Sequence, residues 1–490
     1  MLRELKSLAR ETAIYGLTTV LGRLLSFLLT PLFTHLLSRS ESGVVQTVYS
    51  CIGFLTVVYG LGLDVAYLRL GRGDGGADAG AFTGALGSVV GVALTVSALI
   101  WLFAAKIAAL VGIPPALAIV IRYAACILAL DAAALMPYTE LRGSHRATAY
   151  AGIKLVVIAM NLVLAWLFVR EIHLGVQGVF LANLAASSAG LAMLAPVIVS
   201  RLGRPDPART RGLLSFGLPL VCASVGSMIV QVADRPIMAR LAGLAAAGLY
   251  GNCYKLGIFM MLLVSMFDQA WKPFVLERAE REGVDRLVAR VLTYFATIAC
   301  WALLAVAFFV DVLVKAPIFG GRSLFAPLYW AGLPIVPIVT LGYLFNGLYY
   351  VMLAPLLIDK RLGAVAATTW TGAAVNVGTN LVVIPRWGMI GAAWATCAAY
   401  GAMVLVVWSL GRRTRRPPYE WRRLAILAAW TALLWLPGAR LGLVWRFLLF
   451  AAYPLGLRLS GFLHPEELVE LKRMLSGRFS RRAPPPAAAG

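Results

Sequence analysis

The sequence predicts an all-α polytopic membrane protein with about fourteen transmembrane helices. The 490 residues are 60% hydrophobic and only 13% charged, and their mean hydropathy is +0.82. A soluble chain of this length would carry roughly 25% charged residues. In addition, apolar runs of about 20 residues, long enough to cross a bilayer, follow one another with short connections. The bilayer is therefore expected to be the solvent for most of this surface.

The predicted spans follow the apolar runs in order. They cover residues 11–37, 43–67, 81–105, 116–138, 148–169, 174–200, 212–236, 244–271, 287–311, 326–357, 362–384, 388–410, 421–438 and 441–460. The tenth contains Pro334 and Pro337 and is expected to be kinked or broken.

The distribution of Lys and Arg predicts the orientation. Most of the 44 basic residues fall in loops that are cytoplasmic if the N-terminus is cytoplasmic, for example around Arg204 and Arg413. Fourteen spans then place both termini on that side. The net charge of +22 could also indicate nucleic-acid binding. That alternative is disfavoured because the chain contains no soluble basic domain.

A polar stretch after the sixth predicted span divides the chain. We predict a six-helix lobe over residues 1–205, a second over 206–411, two extra helices over 412–463, and a cytoplasmic amphipathic helix with a disordered tail over 464–490. The lobes show weak internal similarity. A shift of 205 residues pairs Pro31 with Pro236, Leu36 with Leu241, Gly43 with Gly248, Tyr49 with Tyr254 and Phe54 with Phe259. The motif LGVQG (Leu174–Gly178) is echoed by WGMIG (Trp387–Gly391).

Catalytic motifs are absent from the sequence. It contains no GxxxxGK[ST] phosphate loop, no HExxH and no GxSxG, and its six cysteines lie apart in apolar stretches without CxxC spacing. We therefore predict that the protein is not an enzyme and uses no cofactor or metal.

Three cations inside predicted spans are candidates for binding an anionic headgroup such as a diphosphate. An ionised side chain at mid-membrane costs about 2.5–3.5 kcal/mol on insertion scales, so it is expected to face water, a partner or a substrate. Arg23 and Lys255 lie near mid-depth of the first and eighth spans, and Arg122 lies in the fourth. The alternative for each is a packing ion pair, which for Arg122 could involve Asp131. Lys154 is expected to extend to the cytoplasmic interface.

The remaining charged residues in the spans are candidates for ion coupling or gating. They are Asp64, Asp131, Asp234, Arg235 and Asp268. Asp234 and Arg235 precede Pro236, so they could instead cap a kinked helix end.

Several segments, in their order and spacing, resemble one family over the first twelve spans. They are GLGLDVAYLRL (Gly60–Leu70), VADRPIMARLAG (Val232–Gly243), GLYGNCYKLG (Gly248–Gly257), FDQAWKPFVLERA (Phe267–Ala279), LGVQGVFLANLAA (Leu174–Ala186) and WGMIGAAWATCAA (Trp387–Ala399). Together they resemble the polysaccharide-exporter branch of the multidrug/oligosaccharidyl-lipid/polysaccharide exporter superfamily.

This resemblance implies two six-helix lobes around a cavity, with alternating access. The implied cargo is an undecaprenyl-diphosphate-linked oligosaccharide, an O-antigen or exopolysaccharide unit, moved across the bacterial inner membrane and driven by H⁺ or Na⁺. In the related lipid II flippases, cavity arginines on helices one, two and eight bind the diphosphate. Arg23 could match the arginine on helix one, and Lys255 could match the arginine on helix eight. The second span has no Arg before Arg69, which argues against a peptidoglycan precursor as cargo.

Two other functions remain open. One is a drug/cation antiporter of the same superfamily, and the other is a non-transporting membrane scaffold for polysaccharide synthesis. The expected partners are the lipid-linked oligosaccharide, membrane lipids, a polysaccharide polymerase and glycosyltransferases.

Overall fold

The computed structural model describes residues 21–22, 24–73, 76–319, 321–438, 441–460 and 462. Two of the sequence predictions, the role of Arg23 and the amphipathic helix over 464–490, lie outside the described residues. Ten of the described helices are long and apolar enough to cross a membrane. The predicted all-α membrane fold is therefore confirmed.

Among the described residues, the N-terminal half contains eight α-helices and a small hairpin. The helices are α1 (Leu24–Leu36), α2 (Arg39–Gly60), α3 (Leu63–Leu70), α4 (Ala79–Leu102), α5 (Ala104–Leu110), α6 (Ala118–Gly143), α7 (Ala147–Trp166, continued by a π-turn over Leu167–Glu171) and α8 (Gly175–Arg201). The hairpin joins β1 (Arg72–Gly73) to β2 (Gly76–Ala77).

In the C-terminal half, the part of the chain that the structure describes contains ten α-helices and a second hairpin. The helices are α9 (Pro207–Val232), α10 (Asp234–Leu241), α11 (Leu244–Tyr254), α12 (Ile258–Leu276), α13 (Val284–Lys315), α14 (Ile335–Met352), α15 (Ala354–Ile358), α16 (Leu362–Gly411), α17 (Trp421–Gly438) and α18 (Leu443–Leu459). Strands β3 (Pro317–Phe319) and β4 (Arg322–Ser323) pair antiparallel. Short 3₁₀ turns cover Lys255–Gly257 and Pro327–Gly332. The break predicted in the tenth span is confirmed by the second of these turns and by the division between α14 and α15.

The 50-residue helix α16 folds back on itself and supplies the eleventh and twelfth predicted spans. Gly388, with φ 54° and ψ −132°, interrupts the helical conformation. A Cβ on Gly372 would lie 2.6 Å from the Met403 side chain, and one on Gly391 would lie 2.8 Å from the Val383 carbonyl oxygen. Each contact joins a residue before the interruption to one at a similar distance after it, so the two arms are antiparallel.

The repeated LGVQG and WGMIG motifs share a positive φ at their first glycine. Gly175 has φ +53° and Gly388 has φ +54°, values that glycine reaches without a Cβ clash. Each motif lies at the start of the last helix of a predicted lobe. The echo in the sequence therefore has a physical basis, because a positive φ is needed at both glycines.

Buried apolar residues form two large clusters. One extends from Phe33 to Leu213 and the other from Val230 to Phe462. The early part of α9 packs on α2, α3 and α4. We call the two groups the N-terminal and C-terminal clusters. They support the predicted division into lobes near residue 205, which remains a proposal.

The two last helices join the C-terminal cluster. Arg446 in α18 donates to Asp311 Oδ1 of α13 at 2.8 Å, and the Tyr453 hydroxyl donates to the Thr297 carbonyl at 2.9 Å. Helix α17 also packs on α13. These helices therefore contribute buried residues to the C-terminal cluster, among them Leu434 of α17 and Tyr453 of α18.

Candidate functional site

A cavity of about 510 Å³ lies between the two clusters. Gly22, Ser26, Phe27 and α7 line it from the N-terminal half of the chain, and α10, α11, α12 and α14 line it from the C-terminal half. Lys255, on its wall, is eleven residues after the start of α11. At 1.5 Å per residue this is about 16 Å, which is about half the thickness of a hydrocarbon core.

Three cationic side chains line this cavity: Lys154, Arg235 and Lys255. Lys255 begins the 3₁₀ turn that joins α11 to α12. Its ammonium makes no hydrogen bond or ion pair with any side chain in the described part of the chain. A cation at this depth needs water or a ligand around it, because an unsolvated charge is costly in an apolar environment. Lys255 is therefore available to an anion.

Arg235 is held in one orientation by neighbouring residues of the C-terminal cluster. Its Nη1 donates to the Gln231 carbonyl at 2.6 Å and to Asp234 Oδ1 at 3.1 Å. The guanidinium lies 4.2 Å from the centre of the Tyr254 ring, and the Tyr250 hydroxyl donates to Asp234 Oδ2 at 2.6 Å. Asp234 is fully buried and pairs with Arg235. Its negative charge therefore balances the charge of Arg235 and not that of Lys154 or Lys255.

Arg235 lies at the start of α10, beside Pro236. Pro236 has no backbone N–H and cannot donate to the carbonyl four residues earlier, at the point where α9 ends and α10 begins. The helix is interrupted only at Ala233, whose own φ and ψ are helical, so the predicted cap at a kinked end stays a prediction. Arg235 is part of the cavity wall, and Asp234 supports it.

The ammonium of Lys154 lies over the Tyr138 ring, at 4.2 Å from its centre. The structure therefore contradicts the expectation that it extends to the cytoplasmic interface, since the side chain lines the cavity instead. Asp131 is its electrostatic partner, without a direct ion pair. Asp131 accepts a hydrogen bond from Ser187 at 2.8 Å.

The other predicted site residues lie away from the cavity. Arg122 is exposed near the start of α6 and lies 5.6 Å from the centre of the Trp101 ring, so the suggested pair with Asp131 is not formed. Asp64 lies 3.8 Å from Arg142, and Asp268 accepts from Lys272 at 2.8 Å. These last two pairs lie at the opposite end of the bundle from the β3–β4 hairpin.

The two clusters meet closely at one end of the bundle, formed by residues 34–48, 244–252 and 322–332. We call it the outer end, following the predicted orientation. Gly43 and Gly248 let α2 and α11 touch through their backbones. A Cβ on Gly43 would lie 1.9 Å from the Leu244 carbonyl oxygen, and one on Gly248 would lie 2.0 Å from that of Arg39. These two glycines are the pair related by the 205-residue shift.

Polar contacts reinforce the closure. Gln46 Nε2 donates to Asn252 Oδ1 at 3.0 Å between buried side chains. The Tyr329 hydroxyl, from the C-terminal cluster, lies 2.9 Å from Ser42 Oγ. Arg39 Nε donates to the Leu328 carbonyl at 2.8 Å. The outer end is therefore sealed by backbone contact and by hydrogen bonds between the clusters.

One buried carboxylate was missed by the sequence reasoning. Glu140, 2% exposed, accepts from the Tyr67 hydroxyl at 2.8 Å and from Arg72 at 2.9 Å, and it contacts Arg201 at 3.1 Å. It joins the ends of three helices of the N-terminal cluster. Asp359 and Arg415 make a similar pair at 2.9 Å in the C-terminal cluster. The available signal was an acid after the fourth predicted span of each half and an Arg after the sixth.

The comparisons with known proteins agree with this architecture. The family model described as "Polysaccharide biosynthesis protein" matches residues 8–277, more than half of the 490-residue chain. The chain belongs to this family, and the predicted membership is confirmed.

Solved structures show the same fold at low sequence identity. The chain is similar to lipid II flippase MurJ in an inward closed conformation, with a TM-score of 0.72 and 14% identity over 94% of this chain and 99% of that one. It is also similar to an inward-facing multidrug resistance MATE family transporter of the MOP superfamily, with a TM-score of 0.63 and 14% identity over 83% of this chain and 96% of that one.

One curated relative aligns with part of the chain. The uncharacterized membrane protein MJ1068 of Methanocaldococcus jannaschii is 24% identical over 215 residues. The match covers 41% of this chain and 39% of that protein, so it adds a membrane relative but no assignment of activity.

Proposed function

We propose that the protein is a flippase that moves an undecaprenyl-diphosphate-linked oligosaccharide from the cytoplasmic to the outer leaflet of the bacterial inner membrane, with both of its own termini cytoplasmic. The observation that carries this proposal is the mid-depth cavity with Lys154, Arg235 and Lys255 on its wall. Of these three cations, only Arg235 has a carboxylate within ion-pair distance among the described residues. Such a site has positive charge to offer to a diphosphate.

The mechanism follows from the cost of moving a polar headgroup through hydrocarbon. Sugars and a diphosphate lose their hydration in lipid without replacement, whereas a cationic, wet cavity supplies substitute contacts. The prenyl chain stays in the bilayer beside the cavity. Since the outer end is sealed in this structure, the cavity is in a state that receives cargo from the other side. Release then requires the contacts between α2 and α11 to separate.

Coupling to H⁺ or Na⁺ is part of the proposal. Asp131 and Asp234 are the carboxylates closest to the cavity cations, next to Lys154 and Arg235. Binding of a cation to either carboxylate would change the charge balance that the diphosphate meets. Asp64 and Asp268 already have basic neighbours at the end of the bundle away from the cavity.

The test is transport in proteoliposomes of a fluorescent prenyl-diphosphate oligosaccharide. Lys255→Gln keeps a polar side chain but removes the charge. A lost charge-assisted contact is worth about 1.5–3 kcal/mol, so the rate at subsaturating substrate should fall by about 10- to 150-fold. Lys106→Gln, at an exposed lysine beside Phe103, is the matched control. Wild-type transport by Lys255→Gln would remove the diphosphate role.

The drug/cation antiporter alternative predicts a different cargo preference. A cationic drug would be repelled by the three cavity cations and would favour a carboxylate-rich wall. Transport of a cationic dye, with no transport of the prenyl diphosphate in the same vesicles, would favour the antiporter. Absence of both would favour the scaffold for polysaccharide synthesis, which would act by binding a polymerase or glycosyltransferases.

A further inference from the structure

A second pocket continues from the cavity towards the outer end. It has a volume of about 620 Å³ and lies between α1 and α7, the same two segments of the N-terminal half that line the cavity. Phe27 and Ile158 line the cavity, whereas Leu28 and Leu162, one and four residues further on, line the second pocket. We call this pocket the outer groove.

The outer groove is apolar along its length and basic at its rim. Leu32, Val163 and Trp166 form part of its walls, and Arg170 and Arg322 lie at the end furthest from the cavity. Arg322 is exposed and has no ion pair within the described ranges, and Arg170 has only Glu171, at 3.6 Å. An apolar wall under a pair of arginines matches a lipid that carries an anionic phosphate.

The two rim arginines come from different parts of the molecule. Arg170 follows α7 of the N-terminal half, and Arg322 lies on strand β4 of the C-terminal half. The hairpin is placed over α1 because His35 Nε2 lies 2.8 Å from the Ser323 carbonyl oxygen. Separation of the outer end would carry Arg322 away from Arg170. The complete rim therefore exists only while the outer end is closed.

We propose that the outer groove binds an anionic phospholipid of the outer leaflet, whose phosphate bridges Arg170 and Arg322 and so stabilises the state with the outer end closed. A ligand that binds one of two states shifts the population towards that state. The proposal rests on the alternating movement of the proposed function, but it does not depend on the cargo. A phospholipid is favoured over a soluble anion because the groove below the arginines is lined by hydrocarbon side chains.

Lipid preference at the groove can be measured with brominated lipids, which quench nearby tryptophan. Quenching of Trp166 is obtained as the difference between the full chain and Trp166→Phe, in vesicles of phosphatidylcholine that contain brominated phosphatidylglycerol or brominated phosphatidylcholine. Phosphatidylglycerol should bind preferentially. Each basic residue near an anionic headgroup contributes about fivefold, so Arg170→Gln and Arg322→Gln should each lower the preference by about that factor.

The effect on the closed state needs a second measurement. Thr47 is fully buried and lies one turn after Gly43 in α2. The rate at which a membrane-impermeant maleimide labels Thr47→Cys, measured on the peptide that contains residue 47, should therefore report opening of the outer end. Phosphatidylglycerol should slow this labelling in the otherwise unmodified chain and should have no effect in the double variant Arg170→Gln/Arg322→Gln.

Arg240→Gln is the matched control, because Arg240 is exposed near the outer end but does not line the groove. Equal loss of preference in this variant would mean a general surface-charge effect and would overturn the proposal. Labelling that is independent of phosphatidylglycerol would overturn it as well. Failure of Lys255→Gln to slow transport would instead count against the proposed cargo, so the two proposals can fail separately.

Discussion

The two helices of the eighth predicted span, α11 and α12, differ in side-chain size and in what they contact. Helix α11 reads LAAAGLYGNCY, is rich in glycine and alanine, and packs along α2 of the N-terminal cluster. Helix α12 begins IFMMLL and packs on α13, α14 and α15 of its own cluster, with Met261 on the cavity wall.

This difference shows how residue size lets one span form both the closed outer end and part of the cavity wall. Small residues allow two backbones to approach, which is the usual way in which helices associate closely in membranes. Large side chains hold neighbouring helices apart. Lys255 lies at the change from one to the other, so the cation stands where the seal ends. The following predictions test this comparison through the labelling rate of Thr47→Cys, in order of decreasing effect.

The largest effect is expected from Gly248→Ala. The added Cβ would lie 2.0 Å from a backbone oxygen, which cannot move aside as a flexible side chain can. Overpacking typically costs 1–3 kcal/mol, and a cost of about 3 kcal/mol raises the open population by roughly 150-fold. The labelling rate should rise by about the same factor. Gly378→Ala, where a Cβ meets open space, should leave labelling unchanged. Equal rates for both variants would contradict the role of close backbone contact.

Gln46→Leu should have the second largest effect. It leaves Asn252 Oδ1 buried without its donor from the N-terminal cluster, at a cost of about 2 kcal/mol, so labelling should rise by about 30-fold. The double variant Gln46→Leu/Asn252→Leu removes both polar groups. Its labelling rate should rise by less than the two single effects together predict. Additive effects would show that the two side chains do not act as a pair.

A smaller effect is expected from Tyr329→Phe. Its hydroxyl lies 2.9 Å from Ser42 Oγ, and loss of one hydrogen bond of this kind costs about 1 kcal/mol, or about fivefold in labelling. Ser42→Ala should produce a smaller increase, because the Tyr329 hydroxyl has other acceptors. It also lies 3.2 Å from the Leu37 and Ser38 carbonyl oxygens and can donate to either. Once Tyr329 is Phe, Ser42→Ala should add little, and a full second increase would mean that these groups stabilise the closed end separately.

Met261→Ala should have the smallest effect on the seal. The side chain is half-buried on the cavity wall, so its truncation should lower the unfolding free energy by about 1 kcal/mol. The labelling rate of Thr47→Cys should stay within about twofold of the parent. A large increase would show that α12 contributes to the seal and would remove the distinction between the two helices.

The site was predictable in part. A charge in an apolar run is costly, and on that ground the sequence predicts Lys255 as a headgroup-binding cation and Arg235 only as a coupling or gating residue or a helix cap. The structure places both on the cavity wall. Arg122 looked equivalent to Lys255 on that ground, yet it stacks on Trp101 away from the cavity. Lys154 looked peripheral, yet it lies on the wall. Sequence position gives the depth of a residue in the bilayer, but not the direction in which its side chain points, which depends on how the helices pack.

The sequence by itself determined the elements of this protein: its helices, the helix boundary beside Pro236, and the positive φ that recurs at Gly175 and Gly388. These features are local, since hydropathy, a missing N–H and a positive φ act within a few residues. Only the tertiary structure decided that Gly43 meets the backbone of α11 and that Lys154 and Lys255 share one cavity. Such contacts join residues far apart in the chain, and they depend on which faces of the helices pack together.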